Sequence, residues 1–72
     1  MAVGVSLREK EILILAANGM SDTGIARFLS ISPRTVAVHM RNIRAKLDAS
    51  NRTHAVVQAL CLGLIDPVRP AD

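Results

Sequence analysis

Apolar residues recur along this chain at helical spacing. Ile12, Leu13, Leu15 and Ala16 come first, then Ile25, Ala26 and Leu29, then Val36, Met40, Ile43 and Leu47, and last Ala55, Ala59 and Leu62. No stretch alternates strictly, so the pattern predicts four helices and no strand. Start and stop signals bracket each helix. Ser6 with Glu9 three residues on makes a capping box, the hydroxyl serving the Glu9 amide while the carboxylate reaches back. Asn18-Gly19 closes that helix, because Gly tolerates the left-handed conformation of a C-cap. Ser21 caps a short second helix with Asp22 in its first turn, where the macrodipole favours an anion. Ser32 caps the third, with Pro33 at the first helical position, where a missing N–H costs nothing. The third helix is expected over 33–48, ended by Asp48-Ala49-Ser50-Asn51. Ser50 or Asn51 caps a fourth, expected over 51–62 with Gly63 as its C-cap. The short second helix and tight Ser30-Ile31 link have helix-turn-helix proportions. The expected fold class is therefore all-α, a four-helix bundle with a central helix-turn-helix. One domain is expected over 5–65, with short tails at 1–4 and 66–72.

On the third helix, Val36, Met40, Ile43 and Leu47 share one narrow stripe, which predicts the core-facing side. The opposite face carries Arg34, Val38, Arg41 and Ala45, flanked by Ala37 and Asn42. A solvated face is normally filled with Glu–Lys pairs, whereas this one has two arginines among small or methyl-bearing side chains. Such a surface suits the DNA major groove. Small residues permit close approach, Arg donates bidentately to guanine O6 and N7, and an exposed Val or Ala meets a thymine methyl. The plainer reading of Val38 alone is an ordinary exposed apolar residue. At the start of the second helix, the Ser21 and Thr23 hydroxyls and free amides are candidates for a backbone phosphate.

Charge adds to this picture through its placement. The formal net charge is +3. Between Arg27 and Arg52 lie Arg34, Arg41, Arg44 and Lys46, opposed only by Asp48, and a basic middle on a small helical protein suits a polyanion. Arg44 and Lys46 are candidate phosphate contacts. Equally, such a run is what a solvated helix face would show. With 72 residues, half of them apolar and Phe28 the only aromatic, the core is expected to be aliphatic. A single cysteine, Cys61, makes no internal disulfide, and with only His39 and His54 beside it no metal site or cofactor is expected. No apolar run approaches the ~20 residues that cross a bilayer, and a cytoplasmic location is expected.

Catalysis is not expected. Cys61 lies on an apolar helix, His39 has no acid at helical spacing to orient it, and His54 reads as plain surface. RNA is a poorer fit than DNA because stacking aromatics are lacking. The fourth helix is apolar nearly all round. Beyond its core stripe it keeps Val56, Val57, Leu60 and Cys61, which predicts a partner surface at Val57, Leu60 and Cys61. Two-fold self-association and cover by a missing part of a longer chain both fit. A dimerising antagonist of a related regulator is the alternative function. It would use the fourth helix and leave the basic face of the third without a task.

The order of these residues resembles the LuxR-type helix-turn-helix domain. The matching text is S-L-R-E-K-E-I-L, A-x-G-M-S, I-A-x-x-L-x-I-S-P-R-T-V-x-V-H-M-R-N-I-R-x-K-L, N-R-T-H-A-V-V-Q-A and G-L-I, from about Val5 to Ile65. The resemblance implies a four-helix, winged-helix-like domain of the LuxR C-terminal effector class. It also implies double-stranded DNA as partner, bound by a homodimer formed through the last helix. Two-fold pairing then predicts a near-palindromic operator, and because domains this small pair weakly the homodimer is expected in some cases only on DNA. By the same resemblance, Arg34, Ala37, Val38 and Arg41 read bases, while Thr35 and Lys46 hold phosphates. Arg52, a further phosphate candidate, matches a basic position that lies near DNA or braces the fourth helix. N-R after K-L-x-x-S leans to the quorum-sensing branch. Ala37 stands where many members have Lys or Arg, and Gly24 where Glu is frequent. These residues contain no sensor, so an excised effector domain or a free-standing regulator is expected.

Overall fold

The computed structural model describes residues 4–66. Four helices follow one another: α1 (Leu7–Ala17), α2 (Asp22–Leu29), α3 (Pro33–Lys46) and α4 (Arg52–Cys61), with no strand among the described residues. Of the expected tails, only Gly4 and Asp66 lie within the described residues.

Each helix starts at a polar cap whose side chain accepts an amide three residues on: Ser6 from Glu9, Ser21 from Gly24, Ser32 from Thr35 and Asn51 from His54. The capping box at Ser6 is complete, because Ser6 N–H also donates to Glu9 Oε1 at 2.8 Å. Asn51, rather than Ser50, caps α4. Each helix also ends alike, in a wide turn that satisfies a free carbonyl five residues back. The donors and acceptors are Met20 N to Leu15 O, Ile31 N to Ala26 O, Ala49 N to Arg44 O and Leu64 N to Ala59 O.

The core is aliphatic. Ile12 and Leu13 of α1, Ile25 and Ala26 of α2, Val36, Met40 and Ile43 of α3 with Leu47, and Ala55 and Ala59 of α4 are all buried. Each fully buried Ile, Leu or Val contributes roughly 1.5–3 kcal/mol relative to exposure. Helix α3 packs against all three others. Its orientation is thereby fixed from several sides.

The helix ends and the core differ from the sequence reading at three places. Helix α3 stops at Lys46 rather than 48, because Asp48 takes a left-handed backbone at φ 52°. Leu62 does not complete the core stripe of α4. The helix ends at Cys61 and the chain reverses at Gly63 (φ 72°), leaving Leu62 53% exposed and returning Ile65 to the core at 6%. Leu29, expected in the buried stripe of α2, is half-buried.

Candidate nucleic-acid interface

The link between α2 and α3 is three residues, Ser30 to Ser32, and it turns through Ser30 at φ 59°. Half-buried Ile31 packs on the core from inside this turn. Together they hold α3 with one stripe in the core and the other outward.

On the outward side Arg34, Ala37, Val38, Arg41, Asn42 and Ala45 are all exposed. These positions recur at spacings of three and four, so they form one continuous surface. No ion pair or hydrogen bond involves either arginine side chain among the described residues. Two guanidinium forks are therefore presented, with only methyl and methylene groups between them.

The phosphate candidates divide by what they already touch. Ser21 Oγ accepts from Gly24 N at 3.1 Å, which leaves its hydroxyl proton free, and Thr23 is exposed beside it. At the start of α3, Ser32 Oγ and Thr35 Oγ1 lie 2.8 Å apart. One hydroxyl donates to the other and one proton remains to give. Arg44 is half-buried, and its Nε is buried with no acceptor among the described residues.

Lys46 and Arg52 are held by carboxylates. Lys46 Nζ donates to Glu9 Oε1 at 2.7 Å, the oxygen that also accepts from Ser6 N–H. Burial alone would raise the Glu9 pKa. The Lys46 hydrogen bond, the Ser6 N–H and the Lys46 charge together outweigh it and hold the carboxyl below its ordinary 4.5. Arg52 reaches back from the start of α4 to the residues that open α2, Nη1 donating to Asp22 Oδ1 and Nη2 to the Met20 carbonyl. Neither partnership is visible in helical periodicity, which reports only neighbours on one helix.

On α4, Val57 and Cys61 are exposed and Leu62 joins them, whereas Leu60 and Val56 are half-buried against the core. His54, expected as plain surface, is half-buried, its Nδ1 accepting from Ser50 N at 3.0 Å. Elsewhere, Phe28 is 68% exposed beside Ile14 at a shallow groove of about 150 Å³, lined also by Glu11, Leu15 and Leu29. Composition predicted an aliphatic core, and nothing in the periodicity of α2 announced this second apolar surface. No cluster of three or more potential metal ligands occurs among the described residues, and none of their helices is long and apolar enough to cross a membrane.

Against known proteins, a sequence model of bacterial regulatory proteins of the luxR family matches residues 4–59. Over 59 residues the chain is 51% identical to the HTH-type quorum sensing-dependent transcriptional regulator VjbR of Brucella abortus, covering 82% of this chain and 23% of that protein. Over 63 residues it is 51% identical to the HTH-type quorum-sensing regulator RhlR of Pseudomonas aeruginosa, covering 88% and 26%. The chain thus spans about a quarter of the length of these curated relatives. Among solved structures it superposes on the transcription factor GerE with a TM-score of 0.80 at 35% identity, over 88% of this chain and 92% of that one. It superposes on ChrA, the response regulator of a heme-sensing two-component system, with a TM-score of 0.85 at 38% identity, over 90% and 32%.

Proposed function

The chain belongs to the luxR family of bacterial regulatory proteins and carries its helix-turn-helix DNA-binding domain, and we propose that it reads a specific operator by laying α3 in the major groove. The observation that carries this reading is the outward face of α3. Arg34 and Arg41 have no partner there among the described residues and are separated only by small or methyl-bearing side chains. On this reading Arg34 and Arg41 take guanine edges, and Ala37 and Val38 allow close approach and meet thymine methyls. Ser21, Thr23, Thr35 and Arg44 hold backbone phosphates around them and set the register. Lys46 belongs to the same set, with charge that Glu9 already shares, whereas Arg52 is engaged by Asp22 and the Met20 carbonyl and stands beside the set without taking a phosphate itself.

Two copies pair through α4, at Val57, Cys61 and the accessible part of Leu60, so the operator is an inverted repeat. The domain acts in transcription regulation in the cytoplasm, and relatives named as quorum-sensing regulators support that branch. The antagonist alternative gives the arginine face nothing to do.

Selection of bound sequences from a random duplex pool tests the proposal. An enriched inverted repeat with half-site centres about one helical turn apart is expected. A pool that shows no enrichment over random sequence removes specific readout.

A further inference from the structure

We propose that Arg52 is a positioning residue for DNA binding, whose task is to mask the charge of Asp22. The inference rests on the reading that the start of α2 meets a backbone phosphate. Asp22 is the first residue of α2, between Ser21 and Thr23. Its carboxylate suits the helix macrodipole, but it has the same sign as the incoming phosphate. The guanidinium of Arg52 spans this carboxylate and the Met20 carbonyl, a fork that fixes a positive charge where the negative one would be felt.

Fold stability gives a weak account of this bridge. Both side chains are about one-third exposed, and ion pairs that accessible add little. Helices α2 and α4 do not pack against each other, so the bridge does not complete a helix–helix seam. Among the described residues no other cation pairs with Asp22. The pair is close to neutral as a unit. Removing either member leaves a unit charge of opposite sign beside the DNA backbone.

The masking role makes a prediction of sign. Asp22→Asn should bind random duplex DNA about 3-fold more tightly at low salt, with a steeper salt dependence, because Arg52 is left uncompensated. Arg52→Gln should bind about 3-fold more weakly, and the double variant should return to within about 2-fold of wild type. Glu11→Gln alters net charge equally from the exposed side of α1 and should change nothing. Affinities are measured by fluorescence anisotropy across a salt series, with thermal melts to correct for folding.

Weaker or unchanged binding by Asp22→Asn overturns the inference, the first result making Arg52 a mechanical strut. An Arg52→Gln loss that Asp22→Asn does not rescue makes Arg52 a direct phosphate ligand and overturns it too. If Arg52→Gln fails to fold, Arg52→Met, which keeps the apolar stem, takes its place in the same rescue test with Asp22→Asn. A wild-type chain that binds no duplex at low salt removes the DNA reading, and the inference with it.

Discussion

At the scale of single residues, Arg41 and Arg34 present the same group in different settings. Arg41 lies in the middle of α3, whereas Arg34 is its second residue, close to the Ser32–Thr35 hydroxyl pair. Replacing Arg41 with Ala should cost roughly 1–3 kcal/mol at particular base pairs and relax preference there. Arg34→Ala should do the same, and a uniform loss on every sequence would instead move it to the phosphate class. Lys46 behaves differently because Glu9 holds it. Arg44→Ala should flatten the dependence of affinity on salt by about one phosphate contact, and Lys46→Met by less. Lys46→Met should also cost about 1–3 kcal/mol of stability, between the values for exposed and buried pairs. The Glu9 carboxyl is held below its ordinary 4.5 in the fold. Its stabilising contribution is therefore present above that value and lost as pH falls through the lower, folded value. Acid titration of the urea midpoint should show this loss in wild type. Lys46→Met should show less of it, since burial is then opposed only by the Ser6 hydrogen bonds. The capping role of Glu9 was legible, because its partner is three residues away. Its ion pair joins residues 37 apart in sequence, and no local pattern carries such a contact.

Among the elements, the helix ends show what local signals can and cannot report. All four helices close with the same wide turn, and its left-handed position is Gly19, Ser30, Asp48 and Gly63 in turn. Where glycine occupies that position, the end was legible. Where Asp48 does, the expected helix overran by two residues, because Asp reaches this conformation without advertising it. Ser30 has the same geometry inside the turn that aims α3, so the helix-turn-helix carries backbone strain that glycine would relieve. Ser30→Gly and Asp48→Gly should each add about 0.5–1 kcal/mol, net of the greater unfolded-state entropy of Gly. That is about 2–8 °C in the thermal midpoint of a domain this size. Gly24→Ala should add a similar amount from helix propensity, since the new methyl meets Ser21 Oγ at 3.5 Å and nothing closer. A midpoint lowered by Ser30→Gly would mean that its hydroxyl matters more than its backbone.

For the whole molecule, the question is how a domain with one reading helix finds one site. A single such helix reads only a few base pairs, too few to select an operator from a genome of competing sequence. Pairing two domains doubles the readout and imposes two-fold symmetry on the site. The excess apolar surface of α4 was legible from its wheel, but its exact membership was not. Gly63 reverses the chain, so Ile65 enters the core in place of Leu62, and Leu62 joins Val57 and Cys61 outside. Val57 is 46% exposed, enough for a partner to bury it and for the fold to tolerate its replacement. Val57→Glu should therefore leave the helical circular dichroism spectrum unchanged. It should abolish cooperative occupancy of a full inverted repeat, because a charge at the centre of an apolar contact is desolvated without a partner. Binding to a single half-site should survive, since α3 and the start of α2 are untouched. The two duplexes can be compared in one gel-shift titration. A Val57→Glu protein that fills full sites as cooperatively as wild type would remove α4 from the dimer contact, and the groove at Ile14 and Phe28 would be the next surface to test.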